Sequence, residues 1–401
     1  MTTAAEAGAR DELMKELDSM LAESPEDDRD REQRIRVELE TQPDLPIVLF
    51  GAGGLGRRTL SLLRADGRDA AAFIDNDPAR WGSDVEGIPV LSPDDAATQF
   101  AADGLAVVTI WRAEGGHDFL QTRDGLRQAG WRRVESFIPL FWSLGAGALP
   151  YITIDTPSKV LAARDSVLAA AGLWSDERSL REYVAQVRWR LTGDFASLTP
   201  AEPDQYFAEG LVKVGPDEVF VDCGAFTGDT MLDVANRVDS WRAYHAFEPD
   251  PASYDALQAA VSTLPGSMAE RVHLHKAATS DRGGTAHFSA TGLGSASLSS
   301  SGTFEVALAA IDDVVTSPPP TFIKMDIEGA ESAALAGAAR GIRDGQPILA
   351  IAAYHKQADL WELPSQVRAM MPAYRLYLRP HVAEGFDTVL YAMTADRAPA
   401  V

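Results

Sequence analysis

Two glycine-rich turns, each between an apolar run and a helical pattern, constrain the fold of this chain more than any other feature of its sequence. The first lies in PIVLFGAGGLGRRTL (46–60) and the second in VFVDCGAFTGDTML (219–232). A strand, a glycine turn and a helix in this order begin parallel α/β folds, and strand-like and helix-like segments continue to alternate after both turns. The sequence therefore predicts an α/β protein with two Rossmann-like, doubly wound sheets.

The length of the chain, 401 residues, suits two or three domains. Strand-like apolar runs follow the first turn, are rare between the two turns, and return after the second. We therefore predict a charged N-terminal helix and linker at 1–43, a Rossmann-like accessory domain at 44–150, a helical connector at 151–213 and a further α/β domain at 214–401. Within the accessory domain, VESFIPL (134–140) is predicted to be the fourth strand.

The end of the chain departs from a plain dinucleotide-binding fold. YRLYLRP (374–380) and FDTVLYAM (386–393) are strand-like runs joined by a short link, which is typical of an antiparallel hairpin. A series of strand–helix units closed by such a hairpin resembles the seven-stranded sheet of class I methyltransferases that use S-adenosylmethionine (SAM), whose last strand is antiparallel to the others.

Composition excludes several classes of partner. Asp and Glu number 59 against 36 Lys and Arg, for a net charge of −23, so phosphate backbones and anionic lipids are repelled and we expect neither a nucleic-acid nor a membrane partner. The single cysteine, Cys223, excludes an internal disulfide and a multi-cysteine metal site. The N-terminus lacks the pattern of a signal peptide, and no apolar run reaches the length of a membrane span, so we predict a cytoplasmic protein.

The first glycine turn carries a complete G-x-G-x-x-G motif, formed by Gly51, Gly53 and Gly56. These glycines permit a tight turn in front of a helix N-terminus that can face a phosphate, and Asp75, 19 residues after Gly56, could bind ribose hydroxyls. The four residues are therefore candidates for nucleotide binding. The alternative is a structural or assembly role, because the third glycine also serves helix–strand packing. The segments FGAGGLGRRTL, FIDNDP and GIPVLSP are similar to the N-terminal domains of sugar-nucleotide-modifying enzymes.

The second glycine turn has a different chemistry. Its D-x-G-x-x-x-G pattern, from Asp222 through Gly224 to Gly228, lacks the following lysine of a phosphate-binding P-loop. SAM has no phosphate but carries an ammonium group, a sulfonium and a ribose diol. Asp222 offers negative charge near that ammonium, the glycines let the turn lie against the methionine part, and Glu248 can accept both ribose hydroxyls.

Four motifs extend this pattern along residues 218–393: VFVDCGAFTGDT, AFEPDPASYDAL, AATSDRGG and FIKMDIEGAESAALAGA. With these motifs the segment resembles the FkbM-type family of SAM-dependent methyltransferases. The resemblance implies that the residues just assigned to SAM hold it here, and that Asp326 and Glu328 lie beside the reacting methyl group. Many members have an acid in the last core strand, where this chain has the alanine-rich ILAIAAYHK (348–356).

Methyl transfer to an alcohol needs an aligned acceptor and a group that takes its proton. Asp326 and Glu328 end one predicted strand and His355 ends the next, so all three are expected at the same sheet edge. His355 as the general base is one hypothesis, and local bonding of His355 to the following helix is the alternative. Lys324 lies in the strand that precedes Asp326. Because the rest of this strand is apolar, we expect the ammonium of Lys324 to pair with an acid, and Asp326 is one conceivable partner.

A divalent cation is a competing mechanism. Asp326 and Glu328, with His355, would form a partial shell for Mg²⁺ or Mn²⁺, although two such acids after a strand also suit a turn and helix cap. Tyr354 and Trp361 are candidates for lining the acceptor pocket, with core packing as the alternative. The Ser/Gly-rich tract at 289–302 predicts either a flexible loop or a lid over the acceptor.

The leading functional prediction is a SAM-dependent methyltransferase that O-methylates a hydroxyl of a sugar, glycan or secondary metabolite, with the acceptor class taken from the resemblance. The alternatives are a nucleotide- or sugar-nucleotide-binding protein that acts through its N-terminal Rossmann-like domain, and a non-catalytic assembly module. Leu13, Leu17 and Leu21 recur at helical spacing. Such a stripe packs on a neighbouring domain or offers the contact of a homo-oligomer.

Overall fold

The computed structural model describes residues 4–111, 117–289, 297–298 and 304–399. Most of the tract at 289–302, for which a lid was one prediction, lies outside these residues. Within the described ranges the chain forms two large sheets flanked by helices and one small sheet. Along the same ranges, no helix is both long enough and apolar enough to cross a membrane.

The chain begins with two helices, α1 (Ala4–Leu21) and α2 (Pro25–Thr41). Where a linker was predicted, α2 forms because Ser24 accepts a hydrogen bond from the amide of Asp27 and three acids occupy the first turn, where they complement the helix dipole. The two helices bury their apolar residues in different cores. Leu17 of α1 enters the core of the C-terminal sheet, whereas Ile35 of α2 enters the core of the first sheet.

The first sheet has six strands: β1 (Ile47–Phe50), β2 (Ala72–Ile74), β3 (Asp84–Val85), β4 (Ile88–Leu91), β5 (Leu105–Val108) and β6 (Arg133–Ser136). Their order is β3-β4-β2-β1-β5-β6, and all neighbours are parallel except β3 and β4. Strands β1, β2 and β5 are buried along their whole length, which explains their unbroken apolar runs.

The helices of this region are α3 (Gly54–Ala65), α4 (Pro93–Phe100), α5 (Phe119–Gln128) and α6 (Phe137–Leu144). The strand predicted at 134–140 is only half correct, because β6 ends at Ser136 and the following FIPLFWSL is helix α6. Seven of the eight residues of α6 are buried, so its sequence has no polar face that would distinguish a buried helix from a buried strand.

A helical segment follows, with α7 (Pro157–Ala162), α8 (Arg164–Ala171) and α9 (Glu177–Thr192). Helix α9 is buried on most of its surface because it lies between the two large sheets. Its Val187 packs in the core of the C-terminal sheet, and its Trp189 packs in the core of the first sheet. Leu13, Leu17 and Leu21 of α1 pack in the same core as Val187, so of the two predicted roles of this stripe the structure shows packing on a neighbouring part of the chain.

The remaining strands are β7 (Val219–Cys223), β8 (Ala243–Phe247), β9 (Val272–His275), β10 (Ala278–Thr279), β11 (Gly284–Ser289), β12 (Ser297–Leu298), β13 (Phe304–Ala309), β14 (Phe322–Met325), β15 (Ile348–Ala352), β16 (Arg375–Pro380) and β17 (Thr388–Met393). Seven of them form a sheet in the order β16-β17-β15-β14-β7-β8-β9. In this sheet β17 runs in the opposite direction to the other six strands. The predicted α/β class and the C-terminal hairpin are confirmed.

Helices cover this sheet: α10 (Asp229–Arg237), α11 (Pro251–Val261), α12 (Gly266–Ala269), α13 (Ile311–Val314), α14 (Glu331–Gly337), α15 (Ala339–Gly345) and α16 (Asp359–Met370). Strands β10 to β13 form the small sheet beside it. Because β7, β8, β14 and β15 are parallel, their carboxyl ends meet at one edge, where an open α/β sheet binds its ligands.

Candidate active site

A cleft of about 650 Å³ lies at this edge of the C-terminal sheet. Its β8 side includes Gly224 and Glu248, and its β14 side includes Lys324, Asp326 and Glu328. With Tyr354, the structure thus brings together six of the residues that the sequence singled out. The cleft is also lined by residues that the sequence did not single out, among them Gln205, Tyr206, Asp229 and Asp387.

Gly224 lets the second glycine turn approach the end of β14. Its φ angle is +77°, and a Cβ atom at this position would lie 2.0 Å from the backbone oxygen of Asp326. Gly228 caps α10 with a φ angle of +90°. A side chain at Gly224 would force the turn and the strand apart, so the glycine is required by the geometry of the cleft wall.

Glu248 directly follows β8 and orders the turn. Its carboxylate accepts hydrogen bonds from the amides of Phe226 at 2.9 Å and Asp250 at 2.8 Å. Burial raises the pKa of Glu248 to about 7, although both amide bonds act in the opposite direction. Each carboxylate oxygen keeps a free lone pair. Glu248 could therefore accept hydroxyl groups of a ligand in the cleft.

Asp222 lies behind the cleft rather than on it, and its partner is Lys324. The two residues face each other across β7 and β14, with Asp222 Oδ1 3.1 Å from Lys324 Nζ. Tyr244 also donates to Asp222, and Lys324 donates to the backbone oxygen of Gly224 at 2.6 Å. Burial acts to lower the pKa of Lys324, but the charges of Asp222, Asp326 and Asp229 together raise it. Hence Lys324 is paired with an acid, as expected, but the acid is Asp222 instead of Asp326. Of this pair, only Lys324 lines the cleft.

His355 is held between two carboxylates. Its Nδ1 lies 2.8 Å from Glu331 Oε1 on α14, and its Nε2 lies 3.2 Å from Asp326 Oδ1. Burial alone would lower the pKa of His355, but the two acids raise it well above its usual value. A protonated imidazole has no lone pair that can take a proton. The geometry therefore argues against His355 as the general base, and its bonding partner is the preceding helix α14 rather than the following helix.

Both carboxylate oxygens of Asp326 accept hydrogen bonds from side chains. Tyr206 donates to its Oδ2 at 2.5 Å, Tyr354 donates to its Oδ1 at 3.2 Å, and His355 faces the same Oδ1. Burial acts to raise the pKa of Asp326, but the hydrogen bond and charge of His355, together with Lys324, hold it well below its usual range. The side chain is thus a fixed anion and a poor proton acceptor.

The same contacts decide the metal hypothesis. Both ring nitrogens of His355 face carboxylates, and both oxygens of Asp326 accept hydrogen bonds, so these ligands are already engaged. Over the ranges that the structure describes, no group of three or more His, Cys, Asp and Glu side chains is placed to hold a metal ion. The donor set of Asp326 and Glu328 does not fit Mg²⁺ or Mn²⁺.

Among the other carboxyl groups of the cleft, those of Glu328 and Asp387 have raised pKa values. Glu328 is 30% exposed, and its Oε2 lies 3.9 Å from Nε2 of His355. Burial raises the pKa of Glu328 to about 7 against the opposing charge of His355. Burial and the nearby Asp326 raise the pKa of Asp387 to about 6. A carboxyl group in this range can accept and release a proton near neutral pH.

Tyr206 and Asp387 carry no local signal in the sequence. Tyr206 stands in the loop before β7 and contacts Asp326 across 120 residues of chain. Asp387 directly precedes the last strand, where it reads as a turn residue. Of the two aromatic candidates, Tyr354 lines the cleft, whereas Trp361 packs in the core of the sheet.

The first glycine turn is arranged differently. Gly51 has a φ angle of +111°, and a Cβ atom on Gly56 would lie 1.9 Å from the Gly51 oxygen, so the third glycine allows α3 to pack on the turn. Asp75 accepts from the amides of Ala52 at 3.1 Å and Asp77 at 3.0 Å and is paired with Arg80 at 3.3 Å. Gly53, in contrast, has no neighbour within 4 Å of its Cβ position. The carboxylate of Asp75 thus holds the turn itself.

Comparisons with known proteins place this architecture. Residues 222–378 match the model of the methyltransferase FkbM domain. The crystal structure of methyltransferase FkbM from Methylobacillus flagellatus KT is similar over 96% of this chain and 100% of its own, with a TM-score of 0.76 and 24% sequence identity. This likeness concerns the fold.

Two curated relatives are redox-sensing transcriptional repressors named Rex. The protein of Streptomyces coelicolor is 31% identical over 186 residues, and that of Streptomyces avermitilis is 32% identical over 108 residues. These alignments cover 46% and 26% of this chain, and the chain spans 65% and 42% of the lengths of these relatives. The family model and the seven-stranded sheet agree on the C-terminal part. Residues 222–378 are therefore a methyltransferase domain of the FkbM family.

Proposed function

We propose that the C-terminal domain is a SAM-dependent methyltransferase that O-methylates a hydroxyl of a sugar, glycan or secondary metabolite. One observation carries the proposal. The Gly224 turn and the Glu248 carboxylate stand on the β8 side of a cleft whose other side presents Glu328 and Asp387, two carboxyl groups able to exchange protons. A cofactor site and a proton-accepting acceptor site are what methyl transfer to an alcohol requires.

The β8 side suits SAM. Glu248 would accept the ribose hydroxyls, since both of its oxygens are oriented by backbone amides and keep lone pairs. Gly224 allows the methionine part to lie against the turn, and the ammonium of Lys324 suits its carboxylate. Asp222, predicted to contact the cofactor directly, would act by fixing Lys324. Bound SAM supplies an electrophilic methyl group.

On the acceptor side, Glu328 is our candidate for the general base. His355 is held protonated and Asp326 is a fixed anion, whereas Glu328 lines the cleft with a pKa near 7. The carboxyl groups of Glu328 and Asp387 can accept hydrogen bonds from hydroxyls and would repel phosphate or carboxylate. These groups favour an uncharged, hydroxyl-rich acceptor, which supports a sugar or glycan.

Calorimetry with SAM tests the proposal. Glu248→Ala removes the acceptors of two ribose hydrogen bonds, so the Kd for SAM should rise about 10- to 100-fold, the equivalent of about 1.5–3 kcal/mol for bonds to a charged group. The matched control is Asp75→Ala, which removes the equivalent acid of the first sheet and should leave the Kd unchanged. A wild-type protein that binds no SAM, or an equal loss in both variants, would contradict the proposal.

Nucleotide or sugar-nucleotide binding by Gly51, Gly53, Gly56 and Asp75 is the second candidate function. It is favoured by the open space at Gly53, which leaves the N-terminus of α3 accessible to a phosphate, and by the redox-sensing relatives. The same calorimetry with NADH and UDP-glucose decides it. Heat that is abolished by Gly53→Glu supports binding, and its absence favours the structural role.

A further inference from the structure

The segment between β16 and β17, residues 381–387, lines the acceptor side of the cleft through Val382 and Asp387. Its backbone is unusual, because Glu384, Gly385 and Asp387 have φ angles of +68°, +82° and +47°. Left-handed conformations at two non-glycine residues persist only where the surroundings impose them. The contacts of this segment show what imposes them.

The first domain holds Glu384 from three sides. Trp111 Nε1 donates to the backbone oxygen of Glu384 at 2.9 Å, the amide of Phe119 donates to its carboxylate, and His117 Nδ1 lies 3.2 Å from Oε1. Trp111 follows β5, while His117 and Phe119 stand at the start of α5. The side chain of Glu384 is only 5% exposed, so these partners replace water around a buried carboxylate.

The two residues after Glu384 are clamped as well. A Cβ atom on Gly385 would lie 2.5 Å from Cζ3 of Trp189 on α9, so the backbone runs directly against the indole ring. The centroid of the Phe386 ring lies 4.3 Å from that of the Trp111 ring and 6.2 Å from that of the Tyr354 ring, and Tyr354 lines the cleft. The segment is thus fixed by the first domain and the connector on one side, and it presents Asp387 on the other.

We propose that Glu384 is a positioning residue for acceptor binding, through which the first domain holds residues 381–387 so that Asp387 faces the cleft. The inference rests on the proposed methyltransferase function. It gives the first domain a role in the reaction that does not depend on a ligand at its glycine turn. The position of Asp387 on the acceptor side of the cleft therefore depends on the contacts that Trp111 and Phe119 make with Glu384.

Hydrogen exchange of the 401-residue chain tests the positioning directly. Glu384→Ala should raise the exchange of the amides at 381–387 at least tenfold while the peptides of β14 and β15 keep their protection. Glu384→Gln keeps a carbonyl oxygen for the Phe119 amide and should restore most of the protection. The control Glu135→Ala removes an ion pair of similar length to Arg34 elsewhere in the first domain and should change nothing at 381–387. Unchanged exchange in Glu384→Ala would overturn the inference.

Kinetics separates positioning from general damage. With tritiated SAM and methyl α-D-glucopyranoside as the hydroxyl probe, Glu384→Ala should raise the KM for the probe about tenfold and leave the Kd for SAM within twofold of the wild type. An equal loss of SAM affinity would show a merely structural role and overturn the inference. If the wild type binds no SAM, the proposed function fails. If the wild type does not methylate this probe, the exchange result alone decides.

Discussion

The two glycine turns of this chain have nearly the same backbone design in very different surroundings. Each follows the first strand of its sheet in chain order, and each begins with a glycine of positive φ, +111° at Gly51 and +77° at Gly224. In each, the acid that directly follows the next strand accepts a hydrogen bond from an amide of the turn, at 3.1 Å for Asp75 and 2.9 Å for Glu248. The glycine spacing therefore reports a turn, not a function.

The neighbours make the difference. Both acids also accept the amide two residues further on, but Asp75 is in addition paired with the half-exposed Arg80. At the second turn, a buried lysine and the acids of the adjacent strand converge on an open cleft. What distinguishes a site from a scaffold is whether the polar groups at the carboxyl edge satisfy one another or face a cavity.

The largest effect is expected from glycine substitution. Gly224→Ala would place a Cβ 2.0 Å from a backbone oxygen at positive φ, so the protein should fail to fold or lose more than about 4 kcal/mol of unfolding free energy. Gly53→Ala meets open space at a φ of −86° and should cost less than about 1 kcal/mol. Urea denaturation measures both. An equal loss of unfolding free energy in the two variants would contradict the proposed difference between the two turns.

A smaller effect is expected from the cations. Lys324→Met leaves Asp222 as a buried, uncompensated anion and should destabilise the protein by about 3–4 kcal/mol. Arg80→Met removes the partner of Asp75 at a 45% exposed site, where solvent screens the pair, and should cost less than about 1 kcal/mol. The double variant Asp222→Asn/Lys324→Met should recover part of the loss. A mild effect of Lys324→Met in denaturant titrations would mean that Asp222 is not buried as a charge.

The smallest effect concerns pH. If Glu328 with its pKa of about 7 is the base, kcat/KM should fall about tenfold per pH unit below 7 and level off above it. Glu328→Gln should abolish this limb, whereas Glu86→Gln, an acid of similar backbone conformation (φ +55°) in the first domain, should keep it. If kcat/KM of Glu328→Gln still falls below pH 7, a group other than Glu328 accepts the proton of the acceptor hydroxyl.

The same raised pKa has the opposite effect on stability. A carboxyl group with a higher pKa in the folded than in the unfolded state stabilises the fold while it is protonated. The contributions of Glu328 and Glu248 are therefore complete below about pH 4.5 and are lost as the pH rises through about 7. Neutral pH thus favours the proposed chemistry at some expense in stability.

Strands, glycine turns and the hairpin were predictable because each leaves a local pattern of apolar residues and glycines. Lys324 was assigned a wrong partner because the register between β14 and β7, which sets Asp222 opposite it, leaves no mark in either strand alone. His355 looked like a base because Glu331, the acid that helps keep it protonated, lies 24 residues away on a helix. Tyr206 and Glu384 needed the tertiary structure altogether.

The position of α1 has a consequence for how the protein is made. In chain order this helix precedes its partners, because Leu17 lies in one core with residues of α9 and of the C-terminal sheet, whose strands are synthesised later. At about 5–20 residues per second, its apolar stripe waits on the order of ten seconds or more for its partners. Charged residues are dense around this stripe, and such residues favour hydration of a segment whose apolar partners are not yet present.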